Sequence, residues 1–109
     1  MTRDTWKLDH PRCFICGSPA TDCHEMARGP FKAAAMKEPA AWIATCQACH
    51  ERLDGMPIAR QLAYKAIGDL ENYDRIVVNQ LRHRQLDAVS EREVLAEVVG
   101  ILRSQLVPV

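Results

Sequence analysis

The chain has 109 residues, 48% of them hydrophobic and 26% charged, a length that fits one compact domain with a modest core and not two independent ones. Its fourteen lysines and arginines cancel its fourteen aspartates and glutamates, and the balance also holds for residues 1–56 and 57–109 taken separately. No global positive field announces a nucleic-acid partner, so any such contact has to be local or metal-assisted.

The N-terminal stretch MTRDTWKLDHPR is mixed and charged without an apolar segment, and it reads as an irregular arm. Nowhere does an apolar run approach the length of about 18 residues that spans a bilayer, so neither secretion nor membrane insertion is expected and a cytoplasmic location is. A reducing compartment keeps thiols free, and an odd count of five cysteines that includes two CxxC pairs suits thiolate ligation better than a disulfide framework. Cys13 and Cys16 form the first pair, Cys46 and Cys49 the second, and Cys23 stands alone.

Two such pairs supply the four sulfurs of a tetrahedral zinc site, which is closed and therefore structural. A redox couple, or thiols that are merely buried, are the alternatives. The spacer from Gly17 to Thr45 is longer than a simple ribbon needs and has room for structure of its own. Within it, ATDCH reads as a short strand after a Gly/Pro turn, and AAWIATC reads as its hairpin partner, with Trp42 in the core. The connecting MARGPFKAAAMKEPA carries Arg28, Lys32 and Lys37 with no acid before Glu38, the one sizeable basic stretch in the chain and the expected place for any local phosphate contact.

After Cys46, QACHERLD is composed of helix formers, so His50 and Asp54 project from one face. DGMP then gives a turn and a proline suited to a helix start. Helical stripes follow through Ile58, Leu62, Ala66 and Ile67, ending at Gly68, and through Tyr73, Ile76, Val77, Gln80 and Leu81. Ser90 and Glu93 form a capping-box pattern for a last helix, whose expected buried face is Val94, Leu95, Val98, Ile101, Leu102 and Leu106. The expectation is an α+β domain over residues 1–109, with a zinc-stabilised unit over 13–55 and a helical extension over 57–109.

Once zinc takes the four thiols, a second set of chemistry-bearing side chains remains: Asp22, Cys23, His24 and Glu25 before the basic loop, His50 and Asp54 after it. Zinc closure folds the two groups together. Imidazole and carboxylate donors suit a divalent cation with open positions, which can bind a phosphodiester while a neighbouring base activates water. Histidines that only hydrogen-bond the thiolates or fill the core are the alternative.

CFICG, DCHEM and WIATCQACH together resemble the HNH endonucleases of the beta-beta-alpha metal fold, over residues 13 to about 54, and the helical remainder is similar to the tails of small phage-type members. The resemblance implies a divalent-metal-dependent DNA endonuclease with structural zinc, working in a bacterial cell if phage-encoded. Aligned on Met26, it puts His24 at the metal position, Glu25 at the base position, His50 at the closing histidine and Asp54 at a further ligand position, the ion being magnesium, manganese, nickel or zinc. The other register makes His24 the base, with Asp22 or Glu25 helping to bind metal. Imidazole's pKa of about 6.5 suits a base at neutral pH better than glutamate's ~4.3. The family's middle asparagine is absent, since the only asparagines are Asn72 and Asn79. That departure keeps two competitors in play: a non-catalytic zinc module that binds DNA or a protein, and a degenerate nuclease. Arg82, His83 and Arg84 read as a solvated polar run, and nothing in the spacing makes His10 a ligand.

Overall fold

The computed structural model describes residues 1–27, 32–82 and 88–106. At its centre, β1 (Asp22–Glu25) pairs antiparallel with β2 (Trp42–Thr45), setting Asp22 opposite Thr45, Cys23 opposite Ala44, His24 opposite Ile43 and Glu25 opposite Trp42. Side chains alternate along a strand and directly paired positions share a face. Asp22, His24, Ile43 and Thr45 therefore look to one side of the hairpin, and Cys23, Glu25, Trp42 and Ala44 to the other.

Each face meets its own apolar cluster. On the first, Ile43 and Met26 pack with Leu53 of α3 (Gln47–Leu53), Leu62 and Ala63 of α4 (Ile58–Gly68), Val78 of α5 (Arg75–Leu81) and Val94 of α6 (Glu91–Leu106). On the second, Trp42 and Ala44 meet Trp6 of α1 (Arg3–Asp9) and Ala35 of α2 (Lys32–Ala35), with Cys23 against them. Burial there pushes the Cys23 thiol up to about 11, the behaviour of a packed residue and not of a reactive one. The result is a mixed fold of helices and a two-stranded antiparallel sheet, as the α+β expectation had it.

The N-terminal arm is a helix. Thr2 caps it by accepting from the Thr5 amide at 3.2 Å, Asp4 lies in its first turn and Lys7 in its last, so its charges complement the helix dipole. Seven residues offer a single large apolar anchor, Trp6, which is too little to register as a periodic stripe. Trp6 is only 1% exposed and covers the hairpin.

Asp69, at the C-cap of α4, gathers Trp6, Lys65 and Asn72. The Lys65 ammonium donates to Asp69 Oδ2 and to the Pro39 carbonyl, both at 2.8 Å, Trp6 Nε1 donates to the same carboxylate at 2.8 Å, and Asn72 adds a further donor at 3.0 Å. Lys65 also lies over the Trp6 ring, 4.8 Å from its centroid. His10 packs on Trp6 and faces the same carboxylate at 3.6 Å, which accounts for it without a metal.

Gly68 closes α4 because a Cβ there would stand 2.4 Å from Phe14 Cγ, so the first CxxC loop docks on bare backbone. The capping box of α6 forms as expected, with the Glu93 amide donating to Ser90 Oγ at 3.2 Å. Its buried face is narrower than the sequence suggests. Val94 is buried, and Val98 and Ile101 pack against the core, but Leu95, Leu102 and Leu106 are 60%, 41% and 81% exposed. The helix touches the domain along one edge, and its apolar stripe is wider than that edge. No helix among the described residues is long and apolar enough to cross a membrane.

Candidate metal centre and histidine pair

Cys13 and Cys16 lie in a tight turn ahead of β1. The Gly17 amide donates to the Cys13 carbonyl at 3.0 Å, the Cys13 amide to the Ser18 carbonyl at 2.7 Å, and the Ile15 amide to Cys13 Sγ at 3.4 Å. Gly17 has φ +78°, a left-handed conformation that a side chain would strain, which explains glycine directly after the second cysteine. Cys46 is the N-cap of α3 and Cys49 sits in its first turn, where helix amides favour thiolates.

The four sulfurs lie within 4.8 Å of one another, and Cys16 and Cys46 are 3.7 Å apart. A tetrahedral ion with bonds of about 2.3 Å separates its sulfurs by about 3.8 Å, so the cluster fits a structural metal such as zinc. The Ser18 hydroxyl brings the Cys16 thiol down to about 6, whereas burial, reinforced by the neighbouring thiols, pushes Cys49 up to about 12. Four closely packed thiols do not all ionise unaided, and a bound cation is what would hold them as thiolates.

Next to this centre, on the first face of the hairpin, His24 and His50 meet edge to face with ring centroids 5.4 Å apart and planes at 80°. The β1 register aims His24 toward α3, and one turn past the N-cap brings His50 to it. His50 Nδ1 and Asp22 Oδ2 are 3.1 Å apart, with both side chains about one-third exposed, and this hydrogen bond holds the Asp22 carboxyl below its ordinary range. His24 is 3% exposed, and its Nε2 lies 2.9 Å from Gln61 Oε1.

The remaining expected site residues lie apart. Glu25 faces the other side of the hairpin, where Arg3 of α1 pairs with its carboxylate. Asp54 is the C-cap of α3 and is exposed, but among the described residues the four thiols form the one compact set of three or more metal-binding side chains, so His24, His50 and Asp54 do not make a second. Lys32 and Lys37 are exposed, and Arg28 lies outside the described residues, as do His83 and Arg84. Sequence reasoning missed Arg3 and Gln61. Alternation along DCHE carries the signal that separates Glu25 from His24, whereas nothing local marks Gln61.

Thr45, opposite Asp22, is fully buried, and its hydroxyl has no hydrogen-bond partner among the described residues. Replacing an unpaired buried hydroxyl by a methyl of the same shape is neutral or favourable. Thr45→Val is therefore expected to change stability by between zero and about 1 kcal/mol in the stabilising direction, read from the urea midpoint. A loss of similar size would mean that the hydroxyl is satisfied.

No family model matches the chain, and no curated protein or solved structure matches it.

Proposed function

We propose that the chain is a divalent-metal-dependent DNA endonuclease of the HNH type, built on structural zinc held by Cys13, Cys16, Cys46 and Cys49. The reading rests on the meeting of His24 from β1 with His50 from the helix that starts at the thiol cluster, with Asp22 hydrogen-bonded to His50. Both side chains are about one-third exposed, so a site built on them is open to solvent.

In this assignment Asp22 and His50 would hold the divalent ion, in place of the hydrogen bond they share, and His24 would be the base. The bound ion supplies a Lewis acid for a phosphate oxygen and for the departing oxygen. His24 would take the proton of the attacking water as general base. Glu25 is left out, since its carboxylate belongs to Arg3 on the opposite face. Asp54 stands outside the minimal set. Contacts to DNA phosphates would fall to Arg28, Lys32 and Lys37, the one sizeable basic stretch in the sequence.

The test is cleavage of supercoiled plasmid with magnesium, manganese or nickel, or with no added ion after mild chelation that spares the thiolate-bound zinc. The wild type is expected to cut only with added ion. His24→Ala should lose about 10²- to 10⁴-fold in rate while keeping fold and zinc, as removal of a general base does, and His50→Ala at least as much. Glu25→Gln should stay within a few-fold of wild type. No cutting with any ion, or undiminished cutting by His24→Ala, would end the enzyme reading, and an inactive Glu25→Gln would return the base role to Glu25. The burial of His24, 3% exposed, favours a second reading, a zinc module that binds DNA without cutting it. Binding that persists without cleavage under every ion would select that one.

A further inference from the structure

The Gln61 side chain spans three elements. It leaves α4 and is 8% exposed. Its Nε2 lies 3.1 Å from the Leu53 carbonyl and 2.9 Å from the Met56 carbonyl, at and just beyond the C-terminal end of α3, and its Oε1 lies 2.9 Å from His24 Nε2. A primary amide has two N–H donors and one oxygen that only accepts. Backbone carbonyls are also acceptors only, so both donors are committed to Leu53 and Met56, and the flipped amide would set its oxygen against two carbonyl oxygens. The orientation is thus fixed by its partners. Facing an oxygen that cannot donate, His24 Nε2 must carry the proton.

We propose that Gln61 is a positioning residue that locks neutral His24 in the Nε2–H tautomer, which puts the ring's lone pair on Nδ1. The catalytic importance of this lock rests on the endonuclease reading above, whereas the tautomer itself does not. The same amide ties the ring to the end of α3, the helix that carries His50, so one side chain sets both the protonation pattern of His24 and the distance between the two imidazoles. Asp22, on the same face, is hydrogen-bonded to His50.

The experiment is nitrogen-15 NMR of the His24 ring in the full-length, zinc-loaded protein at a pH where the ring is neutral, with His24→Gln used for assignment. Wild type is expected to show a protonated Nε2 and an unprotonated Nδ1. Gln61→Leu removes the acceptor and should release the ring into a tautomer mixture, with kcat on plasmid lower by roughly 10- to 100-fold and KM little changed, the usual scale for a partner that orients an active-site histidine. Gln61→Glu keeps an acceptor for Nε2–H while losing both donors to Leu53 and Met56, so it should be destabilised like Gln61→Leu yet retain the wild-type tautomer. A merely structural glutamine would make the two variants alike in tautomer. A protonated Nδ1 in the wild type overturns the proposal, as does an Nε2–H ring that Gln61→Leu leaves unchanged. If Gln61→Leu does not fold, the wild-type ring and Gln61→Glu decide. A chain that cuts nothing but shows the Nε2–H ring, released by Gln61→Leu, removes the endonuclease reading and keeps the lock.

Discussion

Cys49→Ser is expected to abolish cooperative folding of the whole chain, and stripping the metal with a strong chelator should do the same. Binding of structural zinc by small thiolate sites is worth about 10–16 kcal/mol, comparable to or larger than the 5–15 kcal/mol that stabilises a typical domain. The cluster joins the turn before β1 to the start of α3, and the strands between them are four residues each, too short to persist alone. Loss should not stop at the N-terminal half. Met26 and Ile43 of the hairpin share a cluster with Leu62, Ala63 and Val94 of the helical half, so removing the hairpin strips one wall from that core. Circular dichroism and metal analysis check this together: one zinc per folded chain, and loss of helical as well as hairpin signal without it. A stable, fully folded metal-free protein would contradict the expectation.

The second large effect is expected at Asp69. Asp69→Ala leaves the Lys65 ammonium, whose side chain is 0% exposed, with the Pro39 carbonyl and the Trp6 face as its partners. Breaking a buried ion pair from one side costs about 3–5 kcal/mol, because the remaining charge is uncompensated. Lys65→Met should cost less, since the carboxylate keeps donors from Trp6 Nε1 and Asn72 Nδ2. The sign with pH follows from the same contacts. Its donors hold the Asp69 carboxyl below its ordinary range despite burial, so the stabilisation it provides is present above the unfolded carboxyl's pKa of about 3.9 and disappears as pH falls through the lower folded value. Denaturant melts of the two single variants and the double variant test the asymmetry. Equal losses for the two singles would show that the pair, and not the orphaned ammonium, sets the cost.

What the sequence made legible follows from which forces leave a local trace. Cysteine spacing announced the cluster because ligation needs four sulfurs at one point. The hairpin and the helices after Pro57 were readable from alternation and periodicity, and the Ser90–Glu93 cap from two residues alone. The helix at residues 3–9 was not, because its stability comes from docking Trp6 on the back of the hairpin, a contact far along the chain. Lys65 and Asp69 stand at helical spacing and look like any exposed pair, and only tertiary packing tells that they are buried. Gln61 is invisible for the same reason: a glutamine on an amphipathic helix reads as surface until the end of α3 and the ring of His24 arrive beside it. The sequence resemblance paired His24 with Glu25 by adjacency, whereas the strand separates neighbours and joins Asp22 to His24.

β2 is buried at all four positions, with Ile43 serving one cluster and Trp42 and Ala44 the other. In most two-stranded ribbons one side is wet, and slippage by a residue exchanges a buried row for a solvated one. Here a slip would drive Trp42 into the space of Ile43 and, because Cys46 follows Thr45 directly, would also pull the third and fourth sulfurs out of line with the first two. Strand alignment and ligand alignment are therefore a single constraint. The ion that closes the cluster would proofread the hairpin, accepting only the pairing that brings Asp22 and His24 to the face of α3.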